Sequence, residues 1–276
     1  MKNKRNLIMN TVLVAVLAAG LCIMLYPSFS NWWNSNKLSR AIAIYDQTVS
    51  NMGDSEKERQ LERAEKYNRE LAKLSAPLSD YKNVRGYEQA LDITGTGIMG
   101  YIDIPKINAY LPIYHGTSPE VLNIAVGHME GTSLPVGGKG THAVISAHRG
   151  LPSARLFTDI DKLTENDTFS ITILDEILEY EVDEINTVLP YEMEKLAPVP
   201  DMDCVTLMTC TPYGINTHRL LVRAHRIESE QPHVVKVPAD AVPVDEIKVL
   251  PFIVIPVIVL LIAFWIISGR IKERRS

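Results

Sequence analysis

The chain has 276 residues, 22% charged and 46% hydrophobic, a balance that excludes a disordered or low-complexity protein and suffices for one core of ordinary domain size. A mean hydropathy of +0.01 is high for that charge content, so the apolar residues are clustered. They collect in two 20-residue runs without a formal charge, Leu7 to Tyr26 and Val249 to Ser268, each long enough to cross a bilayer as a helix.

Basic residues stay on the cytoplasmic side of a membrane. Lys2, Lys4 and Arg5 precede the first run, and Arg270, Lys272, Arg274 and Arg275 follow the second, so both termini read as cytoplasmic. The stretch between the runs then lies outside the cell. It keeps 21 basic and 32 acidic residues, a charge of −11, which argues against a nucleic-acid partner. Ala18 and Gly20 offer a signal-peptide alternative for the first run. Its continuation through Leu21, Cys22, Ile23, Met24 and Leu25 favours an uncleaved anchor, with Trp32 and Trp33 at the interface. Pro251 and Pro256 suit a membrane helix better than a buried soluble one.

From Lys37 to Leu74 the pattern is helical, broken at Asn51-Met52-Gly53-Asp54, and Ser55 with Glu58 predicts a capping box for the second helix. Its stripe of Leu61, Ala64, Tyr67, Leu71 and Leu74 predicts one packed face. After Pro77 the texture turns to short β-type runs separated by Gly, Pro and Asn, as in a small barrel or sandwich. The predicted strands are Met99 to Ile104, Ala109 to Tyr114, Thr141 to Ala147, Thr168 to Leu174, Leu178 to Asn186, Cys204 to Cys210 and Arg219 to Ile227. Short helices are expected at Ser118 to Val126 and Ala154 to Leu163.

Outside the cell a disulfide is the obvious role for the two remaining cysteines, Cys204 and Cys210. Both lie in one strand-like run, where six residues at about 3.3 Å each hold them roughly 20 Å apart. A disulfide reaches about 7 Å at most. A free thiol follows, and Cys210 is the better nucleophile because it ends the strand before Thr211-Pro212-Tyr213-Gly214, while Cys204 reads as a core residue. A nucleophilic thiol needs an imidazole and a donor for the oxyanion. Seven histidines compete for the first role, and His148 ends another strand before Arg149-Gly150, a rim position like that of Cys210. Arg219 opens the next apolar run, either as a strand-edge charge or as the cationic donor. Metal binding is not expected: His142 with His148 and His218 with His225 are six and seven residues apart, outside the usual spacing, and neither cysteine has a near partner.

Two long segments carry a family resemblance. Ala147-His148-Arg149-Gly150-Leu151-Pro152-Ser153-Ala154-Arg155-Leu156-Phe157-Thr158, and the run from Thr206 through Cys210-Thr211-Pro212-Tyr213-Gly214-Ile215-Asn216-Thr217-His218-Arg219 to Arg223, closely resemble class C, pilin-polymerising sortases of Gram-positive bacteria. Gly97 to Ile107 is similar to the family's first strand, and a second membrane run near the C-terminus is itself a mark of class C. The resemblance implies a mainly β fold, a closed eight-stranded sortase barrel with N-terminal helices and a transmembrane helix at each end. It implies Cys210, His148 and Arg219 as the catalytic set of a cysteine transpeptidase without cofactor or metal. The expected substrates are pilin subunits bearing a Leu-Pro-X-Thr-Gly-like (LPXTG-like) sorting signal, cleaved between Thr and Gly through a thioacyl enzyme and joined to a lysine of the next subunit.

On this reading the chain divides into a basic tail (1–6), a transmembrane helix or signal anchor (7–26), an extracellular helical region (31–76), the catalytic barrel (77–230), a linker (231–248), a second transmembrane helix (249–268) and a basic tail (269–276). One departure stands out. The family's Asp-Pro-aromatic lid falls here on Ala76, Pro77 and Leu78, so its acidic and aromatic anchors are missing or displaced to Asp80 and Tyr81. The alternatives are a sortase of another class that anchors surface proteins to cell-wall peptide, and a catalytically degenerate membrane-held scaffold.

Overall fold

The computed structural model describes residues 2–228. The expected linker and second apolar run lie outside the described residues. Helix α1 spans Lys2–Asn51 and α2 spans Asp54–Leu71. The stretch Val12–Asn51 is long and apolar enough to cross a membrane, with a mean hydropathy of 2.3 in its most apolar window. The chain separates into two units, and Asn34–Ala239 forms one of them.

In chain order this second unit continues with the single turn α3 (Pro77–Asp80), β1 (Ile98–Ile104), β2 (Ala109–His115), the turn α4 (Pro119–Leu122), β3 (Val126–His128), β4 (Thr141–Ser146), β5 (Thr168–Ile173), β6 (Glu176–Val188), β7 (Asp203–Thr211) and β8 (His218–Ile227). The strands close into a barrel in the order β1-β2-β3-β4-β7-β8-β6-β5. Closure leaves no sheet edge open to pairing. Two neighbouring pairs, β2 with β3 and β4 with β7, are parallel. Strand alternation sends Ile102, Ile113, Ala143, Ile145, Val205, Leu207, Val222 and Ala224 into the main core.

The predicted helix over Ser118 to Val126 is a single turn, because its end is strand β3. Gly127 there crosses so close to the chain that an added Cβ would lie 2.1 Å from the Gly116 carbonyl oxygen. The predicted helix over Ala154 to Leu163 is turns and one 3₁₀ turn at Ile160–Lys162, since Leu156 takes a positive φ of 38° that a right-handed helix does not admit. The expected capping box is absent as well. Helix α2 begins two residues early, with Gly53 rather than Ser55 as its N-cap and no side-chain cap. Asp54 and Glu56 instead place negative charge in the first turn, favourable at a helix N-terminus.

The two helices dock on the barrel through paired polar groups among apolar contacts. The Tyr45 hydroxyl donates to the Met99 carbonyl at 3.0 Å and accepts from Leu174 N–H at 2.8 Å. The Asn68 amide both donates to and accepts from the Leu134 backbone, at 3.1 and 2.7 Å. Of the predicted stripe, Ala64, Tyr67 and Leu71 are buried, with Leu61 and Leu74 packed beside them. Beneath α2, His128 is fully buried between the Tyr87 hydroxyl (2.9 Å from Nδ1) and the Ser133 carbonyl (2.8 Å from Nε2). Burial pushes its imidazole down to about 4, so Nε2–H donates to Ser133 and Nδ1 accepts from Tyr87.

Candidate active site

Three strands, β4, β7 and β8, lie side by side and set their outward side chains in rows. His142, Cys204 and His225 form one row; Val144, Thr206 and Arg223 the next; Ser146, Met208 and Leu221 the third. The parallel pairing of β4 with β7 runs one residue further, through Ala147 N–H to the Met208 carbonyl (3.2 Å) and the Thr209 hydroxyl to the Ala147 carbonyl (2.8 Å). His148 follows that last step. On the other side, Cys210 and Arg219 are direct antiparallel partners. The fourth row therefore collects His148, Cys210 and Arg219, all three half-buried at one end of the barrel. Separations of 62 and 9 residues in the chain collapse to neighbouring strand positions.

Cys204 and Cys210 form no disulfide, and both are free thiols. Their surroundings differ. Cys204 is buried, and desolvation, the largest effect on it, pushes its thiol up to about 11, which keeps it protonated and inert. Cys210 is half-exposed at the rim. The Arg219 guanidinium folds over its own strand, with Nη1 donating to the carbonyls of His218 (3.1 Å) and Asn216 (3.4 Å). Three of its five N–H groups, on Nε and Nη2, remain for a ligand.

Between the charged first rows and the Cys210 row lies an apolar patch that alternation alone did not single out. Val144 and Leu221 point outward yet are buried, covered by Leu196 of the β6–β7 connection, with Met129, Val188, Met193 and Met208 packed around them. The signal was present in the runs Ala143-Val144-Ile145 and Leu220-Leu221-Val222, where both faces are apolar. Such a strand is covered on both sides. The covering connection is tied down by Lys195 to Glu184 (2.6 Å), and Glu184 in turn pairs with Arg223 (2.6 Å).

A family model described as a sortase domain matches residues 102–227. The crystal structure of sortase C1 from Streptococcus agalactiae is 46% identical, with a TM-score of 0.63 over 69% of this chain and 100% of that one. The chain belongs to the sortase family. Sortase C-1 from Streptococcus pneumoniae is a second similar structure, 42% identical with a TM-score of 0.62, covering 69% of this chain and 99% of that one. Among curated relatives, sortase A of Streptococcus agalactiae is 29% identical over 130 residues, 46% of this chain. The chain spans about half, 52%, of that relative's length. Sortases are cysteine transpeptidases, and the row of Cys210, His148 and Arg219 lies inside the matched domain.

In this sortase the segment expected as a lid takes its own course. Pro77 opens α3, and Leu78 crosses Gly131 so closely that a Cβ there would lie 2.9 Å from Leu78 Cα and from the Pro77 carbonyl oxygen. Gly131 has a φ of +84° and follows Met129 of the apolar patch by two residues. Ala76 and Asp80 are exposed, Pro77 and Leu78 are half-buried, and Tyr81 packs against the main core. Among the described residues Asp80 makes no ion pair. Nor is any group of three or more His, Cys, Asp or Glu gathered for a metal among them. His142 is committed to the Ala197 carbonyl and the Thr206 hydroxyl, at 3.0 and 2.7 Å.

Proposed function

We propose that this sortase is a membrane-anchored, pilin-polymerising enzyme of class C, with Cys210 as nucleophile, His148 as acid and base, and Arg219 as the oxyanion and substrate donor. The observation that carries the reading is the strand-end row in which Arg219 is the direct cross-strand partner of Cys210 and His148 follows the last pairing step of β4. The likeness to sortase C1 structures at more than 40% identity supports the class.

The chemistry follows from the groups. The Cys210 thiolate attacks the threonine carbonyl carbon of an LPXTG-like signal, and the resulting oxyanion is met by guanidinium N–H groups of Arg219. The Thr–Gly C–N bond breaks as the His148 imidazolium gives its proton to the departing glycine amine. A thioester remains. A lysine amine of a second pilin subunit then attacks it and loses a proton to His148. The thiolate leaves, and an isopeptide bond joins the subunits.

For placement, the apolar Leu7 to Tyr26 run with its basic start supports an anchor in the cell membrane. The Val249 to Ser268 run supports a second crossing, with the barrel outside and both termini in the cytoplasm. A wall-anchoring sortase is the alternative, favoured by the missing lid anchors at Ala76 and Leu78. The full chain incubated with candidate pilins separates the two. A ladder of cross-linked subunits supports polymerisation, whereas cleavage with transfer only to a wall-type peptide amine supports anchoring.

A further inference from the structure

Beyond the bond from the Thr209 hydroxyl to the Ala147 carbonyl, the side chain of Arg149 fastens the connection that carries His148 to the strand end that carries Cys210. Its Nη2 pairs with Asp161 Oδ2 at 2.5 Å, and its Nη1 lies 3.5 Å from the hydroxyl of Thr211, the residue directly after Cys210. The guanidinium carbon stands 5.9 Å from the centre of the Tyr213 ring, within the range of a cation over an aromatic face. The side chain is 11% exposed. Its Nε is buried and, among the described residues, has no acceptor, a desolvation cost that the fold bears at this group. The next residue completes the clasp. The Tyr213 ring lies directly over Gly150, where a Cβ would fall 2.6 Å from its Cε2, and the glycine's φ of +78° favours that residue there; Gly150 N–H donates to Thr158 Oγ1 at 3.1 Å.

We infer that Arg149 is a positioning residue: held by Asp161 and capped by Tyr213, it fixes the backbone of His148 relative to Cys210 without touching the substrate. The inference rests on the assignment of His148 and Cys210 as the acid–base and nucleophile. Two groups that exchange protons through a shared reaction centre tolerate little misplacement, and an ångström of drift costs about a hundredfold. The Arg149 side chain thus reaches both the Cys210 strand end and the turn at Ile160–Lys162.

The test is a double-mutant cycle in the full-length chain, reading cleavage of a sorting peptide and the pH profile of Cys210 alkylation by iodoacetamide. Arg149→Ala is expected to lower kcat/KM by roughly tenfold to a hundredfold, mainly in kcat, and to move the alkylation profile toward that of His148→Ala. In the Arg149→Ala background, adding His148→Ala should cost far less than it does alone. Asp161→Asn, at a half-exposed position that leaves folding intact, should reproduce part of the loss with the same altered profile. Fully additive losses, or a wild-type alkylation profile in both Arg149→Ala and Asp161→Asn, overturn the inference. A His148→Ala variant as active as wild type overturns instead the catalytic assignment on which it rests.

Discussion

Cys210 and Arg219 are direct partners across the antiparallel pair β7 and β8, so the residues proposed as nucleophile and oxyanion donor are held by the sheet itself. Their spacing is fixed by backbone hydrogen bonds and needs no flexible loop. A planar guanidinium can give two parallel hydrogen bonds to an oxyanion and a neighbouring carbonyl, while an ammonium is a compact point charge. Arg219→Lys is therefore expected to lose about a hundredfold or more in kcat with the charge retained. Steady-state cleavage of a sorting peptide checks this, and near-wild-type turnover would reduce Arg219 to general electrostatics.

The two thiols of the barrel should separate cleanly. Cys204 is buried with its thiol pushed up to about 11, whereas Cys210 stands at the rim. In the full chain at pH 7.5, mass spectrometry of peptides after alkylation should find label on Cys210 and not on Cys204. Cys204→Ala should leave cleavage largely intact. Equal labelling of both, in a folded protein, contradicts the difference in burial.

His128 predicts an acid-sensitive fold. Its folded pKa, near 4, lies below the ordinary imidazole value of 6.5, so between these two values the unfolded chain binds the extra proton. Stability is then full above about pH 6.5 and is lost as pH falls toward 4, by on the order of 3 kcal/mol from this group. Burial also lowers His142, which acts in the same direction. Urea midpoints at pH 7.5 and 5.0 should fall in the wild type. His128→Gln should be less stable at pH 7.5 but lose less on acidification.

The segment expected as a lid is seated by packing, and among the described residues Asp80 makes no ion pair. Leu78 offers roughly 1.5–3 kcal/mol if fully covered, but it is only half-buried, and Asp80 is exposed. Gly131→Ala would push a methyl group into Leu78 at a position of positive φ. It should displace the segment while changing cleavage of a short peptide and Cys210 labelling by a few-fold at most. The same is expected when residues 75–82 are replaced by a flexible linker. A rise of a hundredfold, about 2.7 kcal/mol, would mean that Asp80, Tyr81 or another group locks the site.

Strand periodicity made most of the barrel legible, and the strand ends after Ala147 and at Cys210 put His148 and Cys210 at like rim positions. What sequence could not supply was set by tertiary context. Strand β3 is three residues long and exists because Val126 to His128 pair in parallel with Ile113 to His115. The helix expected at Ala154 fails on the backbone of Leu156. Ser55 is a sound capping residue in isolation, yet the tight turn at Met52-Gly53 starts the helix one residue before it. The clasp of Arg149 on Asp161, Thr211 and Tyr213 joins three segments far apart in the chain, and no local pattern announces it.

Trapping of the acyl-enzyme tests the assignment of Cys210 as nucleophile most directly. The full-length chain is mixed with a peptide carrying an LPXTG-like signal in the absence of an amine acceptor, quenched in acid and digested for mass spectrometry. The expected result is the mass of the peptide's threonyl fragment on the peptide containing Cys210, absent in Cys210→Ala and discharged when a lysine amine is added. An unmodified Cys210 beside cleaved peptide, or an adduct on Cys204, would contradict it.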